Sequence, residues 1–105
     1  MKTYDVQISE KALNDMDAVY TYIAENLHAP NAAMNQYNRI ADAILSLEQN
    51  PARIKVMDSE SERSLSIRKM DIDNYSVFFV IKSEIVSIIR VLYSASDISK
   101  RLFEN

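Results

Sequence analysis

The hydrophobic period of the chain changes once, after Asn50-Pro51, and this change constrains the fold more than any other feature of the sequence. Before it, apolar residues recur at steps of three and four, which is typical of amphipathic helices. After it, apolar residues alternate with polar ones or form short continuous runs, which is typical of strands. A chain divided in this way predicts a fold in which helices pack on one face of a sheet, the α+β class.

The first half predicts a strand and two helices. Residues 3–8 alternate between apolar and polar and indicate a half-buried strand, and Ser9 is a candidate N-cap for the helix that follows. That helix is predicted to run to about Asn26, and residues 28–31 interrupt it. The two apolar faces consist of Leu13, Met16, Tyr20, Ile23 and Leu27, and of Ala33, Tyr37, Ile40, Ile44 and Leu47. Two such helices joined by a short turn predict an antiparallel helical hairpin, which ends where Asn50 can adopt a left-handed cap before Pro51.

The second half predicts a polar surface loop over residues 52–64 and then three strands, at about 65–72, 75–81 and 85–93. Asp73-Asn74 is a candidate two-residue hairpin loop, and Lys82-Ser83-Glu84 a candidate three-residue loop. The last two strands are apolar almost throughout, so we expect them to be central and covered on both faces. The tail is expected to form one short helical turn around Ile98 and Leu102.

The predicted order is therefore β-α-α-β-β-β, a helical hairpin packed on a small, mainly antiparallel sheet. The chain has 105 residues, which suits a single domain over residues 1–105. No apolar run is long enough to span a bilayer, so we expect a soluble cytoplasmic protein with no membrane partner.

Composition excludes several kinds of site. The chain has no glycine, which excludes phosphate-binding glycine loops, dinucleotide-binding fingerprints and nucleophile elbows. It has no cysteine, which excludes disulfides, thiolate metal sites and a cysteine nucleophile. We expect no cofactor and no metal ion.

The formal net charge of −3 argues against binding nucleic acid through bulk charge. The charge is unevenly distributed: residues 1–50 carry three basic and seven acidic side chains, whereas residues 51–105 carry nine basic and eight acidic ones. Any positive patch is therefore expected on the sheet half.

Arg68 and Arg90 fall within predicted strands, and Arg90 has apolar neighbours on both sides. A guanidinium in such a position requires a carboxylate, a carbonyl or an anionic ligand. One interpretation is a structural ion pair, with candidate partners Asp71, Asp73, Glu84 and Asp97. The other is a site that binds phosphate. Tyr93 ends the same strand as Arg90, and it can be either a buried structural tyrosine or a site residue.

Two segments, Arg68-Lys69-Met70-Asp71-Ile72-Asp73-Asn74-Tyr75-Ser76-Val77-Phe78-Phe79 and Arg90-Val91-Leu92-Tyr93-Ser94-Ala95-Ser96-Asp97, resemble the RelE/ParE toxin superfamily. This superfamily includes the plasmid stabilisation proteins of bacterial type II toxin–antitoxin modules. The resemblance extends over nearly the whole chain, since Ser9, Ala12, Tyr22-Ile23-Ala24, Pro30 and Ser46-Leu47 also match in order.

The resemblance implies a toxin that inhibits growth and forms a hetero-oligomer with a cognate antitoxin. Such an antitoxin would bind an apolar groove as an amphipathic helix or as an added strand. ParE-like members act on DNA gyrase and need no catalytic residues, whereas RelE-like members enter the ribosome and cleave mRNA. A third alternative is a degenerate member that binds antitoxin without being toxic.

In a RelE-like member, Arg68 and Arg90 would stabilise the phosphorane and Tyr93 would take part in proton transfer. Lys69, Tyr75 and Asp97 are candidate binding residues, although Asp97 could instead cap the terminal helix. The remaining candidates are expected to lie on the solvated surface, and they are Lys55, Glu60 and the single histidine, His28. Ala95 and Ser96 stand where related sequences carry basic residues. Together with the acidic net charge, this favours the ParE-like alternative.

Overall fold

The computed structural model describes residues 2–104. Strand β1 (Asp5–Ile8) leads into helix α1 (Glu10–Thr21), which continues as one π-helical turn (Tyr22–Asn26), and α2 (Pro30–Leu45) follows. Short 3₁₀ turns at Ser46–Glu48 and Pro51–Arg53 lead to α3 (Glu60–Ser64). Strands β2 (Arg68–Ile72), β3 (Tyr75–Lys82) and β4 (Ile85–Tyr93) come next, and α4 (Ile98–Leu102) is the last described element. The predicted β-α-α-β-β-β order and the α+β class are confirmed.

The four strands form one sheet in the order β1-β4-β3-β2. β2, β3 and β4 are antiparallel to their neighbours, and β1 lies parallel to the first half of β4, with Ile8 opposite Ile88. β1 ends there, so within residues 2–104 the second half of β4 has no strand on its outer side. The β3–β4 register shifts at Phe78 and Phe79, because Phe79 lies opposite Ile88 and Phe78 opposite Arg90. Ile89 is thus the extra residue of a β-bulge.

Both faces of the central strands are covered, as expected. The helical hairpin packs on one face around Ile40, Ile44, Val77 and Phe79, all of which are fully buried. On the other face, Phe78, Leu92 and Ile67 form a smaller cluster, against which Ile98 and Leu102 of α4 pack. Burial of these apolar side chains is what attaches the helices to the sheet.

Local sequence signals explain where the elements begin and end. Ser9 caps α1, since its Oγ accepts a hydrogen bond from the N–H of Ala12, and Pro30 occupies the first turn of α2. Asn50 has the left-handed conformation expected of it, with a φ of 47°. Without glycine, the chain also places His28, Ser66, Asp73 and Ser83 at positive φ.

Three local predictions need correction. The second hairpin loop has two residues, Ser83 and Glu84, because Lys82 still pairs with Ile85. The first helix does not remain α-helical to Asn26 but widens into the π-helical turn. Residues 52–64 are not simply a surface loop, since they contain α3, in which Glu62 is 1% exposed.

No helix within the described residues is both long and apolar enough to cross a membrane.

Candidate functional site

Arg90 is nearly buried, at 7% exposure, and each of its three side-chain nitrogens donates a hydrogen bond to a protein partner. Nε and Nη2 donate to the two carboxylate oxygens of Asp15 on α1, at 2.7 and 2.9 Å, and Nη1 donates to the carbonyl of Arg101 at 2.8 Å. The Glu104 carboxylate lies 3.7 Å from Nη1. The hydrogen bond to Asp15 is the largest cause that raises the pKa of Arg90 above its ordinary value. Arg90 is therefore the centre of a bidentate structural ion pair.

Arg90 forms a structural ion pair, as one of its two interpretations predicted, but the expected partners were wrong. None of Asp71, Asp73, Glu84 and Asp97 contacts Arg90. The bulge at Ile89 and the end of β1 at Ile8 together bring this part of β4 beside α1, where Asp15 lies. The sequence shows neither the bulge nor this crossing, so Asp15 could not be chosen over the other acids.

Asp15 also satisfies the backbone of β4 beyond the end of β1. Its Oδ2 accepts a hydrogen bond from the N–H of Val91 at 2.9 Å. Nearby, the hydroxyl of Ser9 donates to the carbonyl of Ile89 at 3.1 Å. These two side chains thus satisfy backbone groups of β4 that a longer β1 would have paired with.

Arg68 is engaged elsewhere, at the far edge of the sheet. Its Nη1 donates to the carbonyls of Ile54 at 2.5 Å and Ala52 at 3.3 Å, so it ties the segment after Pro51 to β2. β3 lies between β2 and β4. The structure therefore attaches Arg68 and Arg90 to different elements and does not bring their guanidinium groups together on one open face.

Tyr93 is 52% exposed, so the buried structural tyrosine is not what the structure shows. Its ring makes an edge-to-face contact with Tyr75, with centroids 5.9 Å apart and an interplanar angle of 67°. Burial is the largest cause that raises the pKa of the Tyr75 phenol, and the neighbouring hydroxyls of Tyr22 and Tyr93 raise it further. Three tyrosines, Tyr22, Tyr75 and Tyr93, thus gather beside the end of β4.

The other predicted site residues have ordinary surroundings. Lys69 lies 3.5 Å from the carboxylate of Asp71 in the same strand. Asp97 caps α4, where it accepts a hydrogen bond from the N–H of Lys100 at 3.4 Å, as the simpler of its two interpretations predicted. Lys55, Glu60 and His28 are exposed. Among the described residues, no group of three or more carboxylate or imidazole side chains is placed to hold a metal ion.

The structure contains a groove of about 680 Å³ between α1, the start of α2 and the end of β4. An apolar groove was expected for the antitoxin, but the sequence did not identify the residues that line it. Its walls include Val19, Tyr22, Ile23, Tyr75, Val91 and Tyr93. Tyr22 is 51% exposed, which leaves its ring available at the rim. The positions 15, 18, 19 and 22 follow helical spacing from α1 into the π-helical turn and form a second stripe beside the core-facing one. That stripe is the sequence signal from which the groove wall could have been located.

Glu62 is, after Asp15, a second residue whose structural role the sequence did not reveal. It accepts hydrogen bonds at 2.5 Å from the hydroxyls of Ser59 and Ser99, and so it joins α3 to the start of α4. The hydrogen bond from Ser59, followed by that from Ser99, lowers the pKa of the Glu62 carboxyl below its ordinary value. This pair of contacts makes Glu62 part of the structure that holds α4 on the sheet.

The family model described as the ParE toxin of the type II toxin–antitoxin system parDE matches residues 6–98. The chain belongs to this family. The expected membership of the RelE/ParE superfamily is therefore confirmed, and with it the class of type II toxin–antitoxin toxins.

Solved structures of toxins from this superfamily have the same fold as this ParE-family chain. A chain of the chromosomal ParDE system from P. aeruginosa is 21% identical with a TM-score of 0.74, and the match covers 89% of this chain and 98% of that one. A chain of the RelBE2 toxin–antitoxin complex from Mycobacterium tuberculosis is 18% identical with a TM-score of 0.60, covering 87% and 98% respectively. A mutant of the E. coli toxin RelE in its free state is 10% identical with a TM-score of 0.64, covering 94% and 92%. No curated protein sequence matches the chain.

Proposed function

We propose that this chain is a ParE-like toxin that inhibits DNA gyrase and is neutralised by a cognate antitoxin in a hetero-oligomer. The observation that carries the proposal is the engagement of Arg90. Its three nitrogens donate to Asp15 and to the carbonyl of Arg101, and its side chain is nearly buried. A guanidinium in this state is not available to a phosphate.

Cleavage of mRNA by a 2′-hydroxyl requires a base, an acid and cations that converge on one phosphate. Arg68 and Arg90 are held at separate edges of the sheet, and the contact of Tyr93 is with another tyrosine. The only histidine, His28, lies in the turn between α1 and α2. These positions favour a toxin that acts by binding over a ribosome-dependent nuclease.

The groove beside Tyr93 supports the proposed antitoxin partner. It is an open, mainly apolar surface with exposed aromatic side chains at its rim, and tyrosine is enriched among the residues that contribute most to protein interfaces. Since Asp15 is neutralised by Arg90, no free carboxylate of the groove wall repels an acidic partner.

The experiment measures both activities of the purified chain. We expect inhibition of gyrase supercoiling and intact mRNA in a translating extract. Addition of the purified product of the adjoining reading frame should restore supercoiling. Cleaved mRNA with unaffected supercoiling would instead show a RelE-like endonuclease.

Induction of the chain alone in cells provides the second measurement. We expect DNA synthesis to stop before protein synthesis does. Normal growth of cells that accumulate folded protein would contradict toxicity and indicate a degenerate member that retains antitoxin binding. The variant Arg68→Gln serves as the control for nuclease chemistry in both assays.

A further inference from the structure

The two edges of the sheet are covered to different extents. At the β2 edge, the segment before α3 lies alongside the strand, where the N–H of Met57 donates to the carbonyl of Ile67 at 2.9 Å. At the β1 edge, the cover stops at the start of the strand, where the N–H of Tyr4 donates to the carbonyl of Glu48 at 2.8 Å. Beyond Tyr4, no other element within residues 2–104 pairs with the outer edge of β1.

The parallel register with β4 identifies the open backbone groups of β1. The N–H of Asp5 donates to the carbonyl of Glu84 at 2.8 Å, so Asp5 directs its backbone groups toward β4. This direction alternates along a strand, so Gln7 does the same, whereas Val6 and Ile8 direct theirs outward. Within residues 2–104, the N–H and the carbonyl of Val6 and of Ile8 therefore have no hydrogen-bond partner.

This row of two donors and two acceptors is complementary to itself. When two copies of β1 lie antiparallel with Gln7 on the two-fold axis, Val6 of each copy lies opposite Ile8 of the other. In that register Val6 and Ile8 exchange two N–H···O=C hydrogen bonds, and the symmetry repeats the exchange. The open groups of one copy are thus all satisfied by those of the second.

The side chains of β1 suit the same register. Val6 and Ile8 are only half-buried, on the face of the sheet that carries the helical hairpin. In the dimer each covers the other across the two strands, and such cross-strand pairs of β-branched residues stabilise a sheet. Gln7 is exposed on the opposite face and meets Gln7 of the second copy, where each amide can donate to the other.

Charge favours a second copy over a charged partner. Asp5 is the only charged residue of β1, and in this register it lies opposite the uncharged Ser9 of the second copy. The strand also has no lysine, proline or bulge, which are the usual means of protecting an edge from pairing. The edge is therefore a neutral row, and its own sequence supplies the neutral strand that matches it.

The chain leaves this edge as soon as the strand ends. The N–H of Ser9 donates to the carbonyl of Ile88 on β4 at 3.0 Å, and α1 then passes beside β4, where Asp15 binds Arg90. α1 thus turns away from the two-fold axis. Antiparallel pairing about an axis perpendicular to the sheet would join the two four-stranded sheets edge to edge and place both helical hairpins on the same face.

We propose that the free protein forms a two-fold symmetric dimer through antiparallel pairing of β1 with β1 of a second copy. The contact is smaller than the roughly 1,600 Å² that a standard stable interface buries, so the dimer is weak and forms as the protein concentration rises. The proposal concerns the oligomeric state of the chain and does not depend on its cellular target.

The first test is sedimentation equilibrium of the full chain together with amide-resolved hydrogen exchange over a range of concentrations. We expect at least half of the protein to be dimeric at about 0.5 mM, and exchange of the Val6 and Ile8 amides to slow by about twofold or more. The Gln7 amide, which is bonded to β4, is the internal control and should not change. A monomer at about 0.5 mM would overturn the proposal, and so would a dimer that leaves the Val6 and Ile8 amides unprotected.

Charge variants at the axis provide the second test. Gln7→Lys and Gln7→Glu each place two like charges directly opposite, so each variant alone should dimerise about fivefold more weakly than wild type or worse. An equal mixture of the two pairs lysine with glutamate and should recover the wild-type association. Asn38→Lys, exposed on α2, is the control for added charge and should associate as wild type does. Association of Q7K alone that equals wild type would overturn the proposed register.

A third measurement separates the second copy from another occupant of this edge. Hydrogen exchange is repeated at low concentration with the purified product of the adjoining reading frame. Protection of Val6 and Ile8 that requires that protein, and does not arise from concentration alone, would assign the edge to the antitoxin and overturn self-association. Protection that follows the concentration of the chain alone supports the dimer.

Discussion

The carboxylate of Asp15 binds Arg90 through both oxygens and at the same time accepts the N–H of Val91, at distances of 2.7 to 2.9 Å. One side chain of α1 therefore neutralises the buried charge of β4 and completes its hydrogen bonding where β1 has ended. The same carboxylate forms part of the groove wall. The stability of the sheet and the shape of the groove thus depend on the same contact.

Replacement of Asp15 by alanine should destabilise the fold strongly. The change leaves the Arg90 guanidinium buried without its main partner, and removal of one member of a buried ion pair costs about 3–5 kcal/mol. Urea unfolding of D15A against wild type measures the loss. Asp17→Ala, on the exposed side of the same helix, is the matched control and should change the free energy of unfolding by less than about 0.5 kcal/mol. Equal unfolding midpoints for the two variants would contradict the structural role of Asp15.

Arg68→Gln should leave growth inhibition unchanged. The guanidinium donates hydrogen bonds to the carbonyls of Ala52 and Ile54, so its loss should lower the free energy of unfolding by about 1 kcal/mol, and the proposed ParE-like activity does not require this side chain. Colony formation after induction, at matched protein levels, measures the effect. Loss of inhibition with a folded protein would return Arg68 to the list of functional residues and favour the nuclease.

The fold could be predicted from the sequence because its signals are local. The steps of three and four that contain Met16 and Ile40 predict helices, and the continuous run around Phe78 predicts a central strand. Asn50 and Pro51 mark the division between them through their own backbone preferences.

The site could not be predicted as fully, because it depends on pairings between residues far apart in the chain. Asp15 and Arg90 are 75 residues apart, and their contact depends on the bulge at Ile89. Ser99 and Glu62 are likewise 37 residues apart, and their hydrogen bond joins α4 to α3. Periodicity carries no information on such contacts. The sequence therefore showed that burying an arginine in a strand is costly, but it did not show which residue would pair with it.

The pH dependence of stability should change in Glu62→Gln. In the folded protein the pKa of Glu62 is lowered, so its carboxylate contributes stability that is fully present above its unfolded pKa of about 4.3 and is lost as the pH falls toward the folded value. The variant should therefore unfold more easily than wild type at pH 7, and the difference should shrink below about pH 4. Urea unfolding at a series of pH values checks this. Glu60→Gln, exposed in the same helix, is the control, and a difference for E62Q that does not vary with pH would refute the prediction.

Glycine at position 83 should stabilise the protein. Ser83 has a φ of 56° in the second hairpin loop. This left-handed conformation costs a non-glycine residue about 1–2 kcal/mol. Glycine avoids that cost, although its greater conformational freedom in the unfolded chain offsets part of the gain. We expect Ser83→Gly to raise the free energy of unfolding by about 0.5 kcal/mol. Ser87→Gly, within β4, should lower it. Thermal unfolding of both variants decides the matter, and the prediction fails if S83G melts below wild type.

Ala18→Arg should separate toxicity from neutralisation. Ala18 is exposed and lines the groove, so a long charged side chain there should block an apolar segment without disturbing the core. We expect the variant to inhibit growth when expressed alone and to continue doing so when the adjoining reading frame is co-expressed, whereas wild type is neutralised. Affinity of the purified pair should fall by at least about tenfold, as for the loss of a central interface residue. Asp17→Arg adds the same side chain one position away, outside the groove wall, and should remain neutralised. Full neutralisation of A18R would place the antitoxin elsewhere on the toxin and exclude the groove as its binding site.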